Sequence, residues 1–114
     1  MPDCLFCRLV AGEIPATVVR EDELTVAFRD VNPQAPTHVL VIPRAHHEDV
    51  GALSAADPDA LVAVLRAAAA VAAGEGVAGS GWRLVFNTGA DAGQTVQHVH
   101  GHVLGGRQIG WPPG

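Results

Sequence analysis

Three histidines stand two residues apart in His98-Val99-His100-Gly101-His102, so half of the chain's six histidines fall within five positions. Alternate side chains of a β-strand point the same way. This spacing therefore puts the three imidazoles on one face and Val99 and Val103 on the other. A row of imidazoles can ligate a metal, bind an anion or attack an electrophile. The competing reading is a polar strand facing solvent, and the density of histidines weighs against it. Imidazole suits nucleophilic work because its ordinary pKa of about 6.5 leaves a competent lone pair near pH 7.

Two other features could carry chemistry. Cys4 and Cys7 form a C-x-x-C pair, the only cysteines of the chain. In a reducing compartment that spacing points to metal binding or redox chemistry rather than a structural disulfide. The segment Thr88 to Thr95 (TGADAGQT) is a glycine-containing loop. It lacks the Gly-Lys-Ser/Thr ending of a Walker phosphate loop, and no carboxylate pair suited to two-metal chemistry is evident. Histidine catalysis without a metal fits these residues better.

The elements that must position them follow from pattern. Cys4 to Val10 reads as a short helix stopped by Gly12 and Pro15. Thr17 to Arg20 and Leu24 to Arg29 read as strands around a polar turn, and His38 to Ile42 as a β-branched strand ended by Pro43. Two prolines make 32–36 a loop. A central helix is capped by Asp57, begins with Pro58 and ends at Gly74 or Gly76. Its expected buried face is Leu61, Val64, Leu65, Ala68 and Val71. The alanines opposite look bland for a solvated face, which points to packing against another surface such as a second subunit. Trp82 to Asn87 and Gln97 to Leu104 alternate as strands. Strands interspersed with helices and short early connections predict an α+β fold with an antiparallel sheet.

The chain has 114 residues, 48% hydrophobic and 17% charged, which predicts one globular domain spanning 1–114. At that size dimerisation would add useful burial. A net charge of −5 without basic clusters argues against a nucleic-acid polymer as partner. Met1 to Val10 has no secretory apolar core, and the alanine-rich run Ala67 to Ala73 is too short and weakly apolar for a membrane span. The expected location is cytoplasmic.

The stretch from Gly93 to Leu104 (GQTVQHVHGHVL) resembles the signature of the histidine triad (HIT) superfamily, His-φ-His-φ-His-φ-φ with φ apolar. Gly105-Gly106-Arg107-Gln108 and Trp111-Pro112-Pro113-Gly114 resemble its nucleotide-binding, nucleoside-phosphoramidase branch. Phe6, Glu13-Ile14-Pro15, Ala35-Pro36-Thr37-His38 and Val41-Ile42-Pro43 agree, so the resemblance covers essentially the whole chain. Gly101 departs from it, standing where an apolar residue is usual, and a looser core is expected there. Thr95 stands where serine is common, and either hydroxyl can donate to a phosphate.

The resemblance implies a HIT-type α+β domain with about five antiparallel strands, one long central helix and a short N-terminal helix. It implies hydrolysis of purine nucleoside 5′-phosphoramidates through a nucleotidyl-histidine on His100. His102 would contact the phosphate, His38 would support the cluster, and Asn87 and Thr95 would hydrogen-bond the phosphate and leaving group. The backbone of Gly93, Gln94 and Thr95 would add N–H donors. Phe6, Leu9, Ile14 and Val31 would surround the base, and Asp30 would bind the ribose. Core packing is the competing reading for the apolar four, ordinary turn chemistry for Asn87 and Thr95, and an Asx turn for Asp30. Trp111 would reach the site of a partner in a homodimer.

Some bacterial members pair a similar C-x-x-C with two histidines, here His46 and His98. Cys4, Cys7, His46 and His98 would then hold a closed, structural zinc, with no cofactor needed for catalysis. Free buried cysteines, a redox pair, or His47 in place of His46 are the competing readings. For function, the alternatives are a dinucleoside polyphosphate hydrolase, a non-catalytic nucleotide-binding scaffold, or a small zinc-structural interaction module.

Overall fold

The computed structural model describes residues 3–114. In chain order the elements are α1 (Leu5–Val10), β1 (Val18–Glu21), β2 (Thr25–Arg29), β3 (Thr37–Pro43), α2 (Val50–Ala56), α3 (Pro58–Gly74), β4 (Trp82–Phe86) and β5 (Gly101–Gly105). The strands form one antiparallel sheet in the order β1-β2-β3-β5-β4. An α+β fold with five antiparallel strands, one long helix and a short N-terminal helix is what the residue pattern predicts.

Register assigns the two faces. Leu40 lies opposite both Phe28 and His102, and Val39 opposite Val103. Ala27, Val39, Val41 and Val103 pack with Leu53, Val64, Ala68 and Val71 under α2 and α3. The other face carries Val26, Phe28, Leu40 and Ile42, which pack with Phe6 of α1. The site lies on this second face, away from α2 and α3.

The central helix begins where its caps predict: Asp57 accepts a hydrogen bond from the Ala60 N–H at 3.1 Å, and Pro58 is the first helical residue. Its buried face differs from expectation. Ala60, Val64, Ala67, Ala68, Val71 and Ala72 turn inward, while Leu65 is 43% exposed. Small side chains let the helix approach the sheet closely, and helix separation depends on the residues at the contact. The sheet accounts for these inward alanines, while Ala69 and Ala73 of the opposite face stay exposed.

Three further differences have local causes. The strand expected over 97–104 is regular only from Gly101, running on to Gly105, and His98 to His100 approach it in irregular backbone. The helix α2 has a signal that pattern reading passed over: Asp49 caps it, accepting from the Ala52 N–H at 2.8 Å. The core is not loose at Gly101. A Cβ there would lie 2.9 Å from Leu84 Cδ1 and 3.0 Å from the Phe86 ring, so these two side chains fill the position.

Candidate active site

A cleft of about 640 Å3 opens on the α1 face of the sheet. Phe6, Leu9 and Ile14 line one wall, Phe28 and Leu40 the sheet floor, Asp30 and Val31 the end of β2, and Thr95, His100 and His102 the opposite side. Mostly apolar walls with a few convergent polar groups are the usual make-up of a small-molecule site. Leu5, Phe28, Leu40 and Thr17 were not expected here. Phe28 and Leu40 were findable, because they share the period-two face that ends at His102.

Backbone groups fix how each imidazole is protonated. A carbonyl only accepts, so the His100 Nδ1, 2.8 Å from the His98 carbonyl oxygen, carries a proton and donates it. The neutral ring then keeps its lone pair at Nε2. His98 Nε2–H likewise donates to the Pro43 carbonyl at 2.8 Å, which leaves Nδ1 bare. The Gln34 N–H donates to His38 Nδ1 at 3.0 Å, so the His38 proton sits on Nε2. From there it is given to His102 Nδ1 at 2.9 Å. His102 must therefore carry its own proton on Nε2, a buried nitrogen with no partner among the described residues.

Burial pushes the His102 imidazole down to about 4, and repulsion from His100 and His38 adds to the effect. Burial also lowers His38, opposed by Asp30, whose Oδ2 lies 3.4 Å from His38 Nε2. Both rings are thus neutral near pH 7, and His102 offers one uncharged N–H donor. Asp30 additionally accepts from the Asn32 N–H at 2.8 Å. An Asx turn and a cleft-facing carboxylate coexist in this one residue.

The remaining expected residues divide. Gln94 is buried and holds its own loop: it accepts from the Gly89 N–H and donates to the carbonyls of Glu48 and Val96. Gly93 follows a single 3-10 turn with φ of 82°, a left-handed conformation that glycine adopts at little cost. Together they present Thr95 and Val96 to the cleft. Asn87 is half-buried just beyond β4, and it does not line the cleft. Trp111 is 82% exposed, lies 5.9 Å from the Arg83 guanidinium and is also outside this chain's cleft.

Cys4, Cys7, His46 and His98 converge, with ligand atoms all within 4.8 Å of one another. Cys4 Sγ and Cys7 Sγ lie 3.4 and 3.5 Å from His98 Nδ1, and Cys7 Sγ lies 3.4 Å from His46 Nδ1. Tetrahedral zinc bonds of about 2.3 Å to sulfur and 2.0–2.1 Å to nitrogen would put S and N roughly 3.5 Å apart. The donor set fits such an ion. The bare Nδ1 of His98 would be the ligating atom, and its Nε2–H bond to Pro43 matches the outer-shell support that metal-bound histidines usually have. Burial and the Cys4 side chain push the Cys7 thiol up. Phe6 joins the two centres: its ring stands edge-on to His98 at 6.0 Å and to His100 at 5.2 Å.

The HIT domain family model matches residues 11–109 of this chain. The chain is 44% identical over 108 residues to the purine nucleoside phosphoramidase of Escherichia coli (strain K12), covering 95% of this chain and 91% of that protein. It is 46% identical over 112 residues to the 14 kDa zinc-binding protein of Zea mays, covering 96% and 87%. Among solved structures, a HIT family hydrolase from Legionella pneumophila superposes with a TM-score of 0.94 at 50% identity, covering 98% of this chain and all of the other. No helix among the described residues is long and apolar enough to cross a membrane.

Proposed function

The chain belongs to the HIT domain family, and from that premise we propose that it hydrolyses purine nucleoside 5′-phosphoramidates with His100 as the nucleophile. The observation that carries this reading is the forced tautomer of His100. Its Nδ1–H is engaged by the His98 carbonyl, and the ring lines the cleft with Nε2 as its lone-pair nitrogen.

In the proposed reaction Nε2 attacks the α-phosphorus. An Nε2–P bond forms, the bond from phosphorus to the leaving amine breaks, and the amine departs with a proton from a general acid. The adduct is an imidazolium, and the His98 carbonyl accepts from its Nδ1–H. The His102 Nε2–H donates to a phosphate oxygen, a fixed dipole in a partly dry site. Water then attacks phosphorus, the Nε2–P bond breaks, and the proton released restores the acid. The products are a nucleoside monophosphate and an amine.

Phe6, Leu9, Ile14 and Val31 would hold the base, Asp30 the ribose hydroxyls, and Asn87, Thr95 and the N–H groups of Gly93 to Thr95 the phosphate and leaving group. Phe6, Leu9, Ile14, Asp30, Val31 and Thr95 line one cleft, which supports their part in this. Cys4, Cys7, His46 and His98 would hold a structural zinc, which supplies no step of the reaction. A reduced cytoplasmic setting suits these thiols. A homodimer in which Trp111 serves the partner's site is supported by the exposure of that ring outside its own cleft and by the open edge of β4.

Turnover of adenosine 5′-phosphoramidate, wild type beside His100→Ala, tests the reading. AMP release by the wild type alone supports it. AMP binding without release by either protein would replace it with a scaffold, and cleavage of dinucleoside polyphosphates alone would move the chain to the other hydrolase branch.

A further inference from the structure

The geometry points to Gln34 as a positioning residue whose backbone N–H, by occupying His38 Nδ1, sets the direction of the His38–His102 hydrogen bond and so makes His102 an N–H donor toward the cleft. The inference rests on the proposed function for what that donor meets, an anionic phosphate oxygen.

Two neutral imidazoles joined by one hydrogen bond can point either way. In one direction His38 donates from Nε2, and His102, which lines the cleft, must hold its proton on Nε2. In the other, His102 donates from Nδ1 and presents a lone pair to the cleft, which would repel a phosphate oxygen. The atoms of the pair alone do not decide between these. A group at His38 Nδ1 decides, because a donor there forbids a proton on that nitrogen. The Gln34 N–H is that donor, 3.0 Å away. The Asp30 carboxylate pulls the same way from 3.4 Å, yet it cannot keep a second proton off Nδ1. Only a donor at Nδ1 excludes both the flipped and the doubly protonated ring.

The peptide of Gln34 is held from both sides. Its carbonyl accepts from Arg107 Nε–H at 3.0 Å, and its side chain donates to the Asn32 carbonyl at 3.0 Å. Arg107 thereby connects the C-terminal segment to the loop that orients the two histidines. The result at the far end is the buried, unpartnered Nε2 of His102. That orphaned donor is explained when an acceptor from a ligand completes it.

The test replaces the amide at position 34 by an ester, which deletes this N–H with little change of shape, with Gln34→Pro as an independent deletion. Gln34→Ala keeps the N–H and serves as the comparison. Imidazole 15N spectra of the ligand-free protein read which nitrogens carry protons. The expected wild-type result is a bare His38 Nδ1 and a protonated His102 Nε2, unchanged in Gln34→Ala. In the ester and proline variants His38 Nδ1 gains a proton. AMP affinity then falls about tenfold, the scale for losing a hydrogen bond to a charged group. A wild-type His102 protonated on Nδ1, or an ester variant with unaltered spectra and AMP affinity, would overturn the inference. A wild type that has the expected spectra but neither binds AMP nor cleaves phosphoramidates would overturn the nucleotide reading instead, so the two failures are distinguishable.

Discussion

His38 Nε2 and His102 Nδ1 lie 2.9 Å apart and share a single proton, donated by His38. His102 cannot take up a further proton without losing this bond, nor His38 without losing the bond from the Gln34 N–H. The pair therefore links the chemistry of the cleft to the acid stability of the fold.

His102 has a folded-state pKa of about 4 against an ordinary 6.5, with burial the main cause. Below 6.5 the unfolded chain binds a proton that the folded chain refuses, so unfolding is favoured as pH falls. The stability from this group is fully present above pH 6.5 and drains away between 6.5 and about 4. Glu75 acts at lower pH, because Arg29 at 2.7 Å holds its carboxyl below the usual range. Its contribution is lost once pH drops through that range. Thermal melts from pH 7.5 to 4 are expected to show a falling Tm, and His102→Gln to flatten the upper part of the fall.

Metal removal should loosen one end of the site. Cys4 and Cys7 tie α1 to the triad segment, and Phe6 between them packs on His100. Purified protein is expected to carry about one zinc per chain. Chelation, or Cys7→Ser, should lower Tm and raise amide exchange in Leu5–Val10 first. Metal-free protein with an unchanged melt would contradict a structural role.

Asp30→Asn keeps the size of the side chain and its turn acceptor but removes the charge offered to the ribose. KM for adenosine 5′-phosphoramidate is expected to rise about tenfold, with a smaller fall in kcat. A change confined to kcat would assign Asp30 to His38 instead of the ribose.

Gly101→Val tests the packing behind the triad. The added Cβ would stand 2.9 Å from Leu84 Cδ1, closer than real Cβ contacts come, and 3.0 Å from the Phe86 ring. Overpacking of this kind costs about 1–3 kcal/mol, readable in denaturant melts. An unaffected or stabilised protein would mean that Leu84 and Phe86 move aside freely.

What could be read in advance divides along physical lines. Local signals were legible: the Asp57 cap and Pro58 fix the start of α3, and alternation from 98 to 103 separates His100 and His102 from Val99 and Val103. The buried stripe of α3 was misjudged because hydrophobicity favours Leu65, whereas the close sheet selects Ala60, Ala67 and Ala72. The convergence of Cys4 with His98, 94 positions apart, has no spacing signature and was legible only through the family resemblance. The part played by Gln34 was invisible because a backbone N–H is common to every residue except proline. Its side chain says nothing of it.

The central claim is that His100 Nε2 becomes bonded to phosphorus. Rapidly quenched turnover of adenosine 5′-phosphoramidate, followed by peptide mass spectrometry, measures this directly. An AMP adduct on His100 that forms and decays with turnover is the predicted result. Turnover without an adduct on His100, with activity retained in His100→Ala, would contradict it.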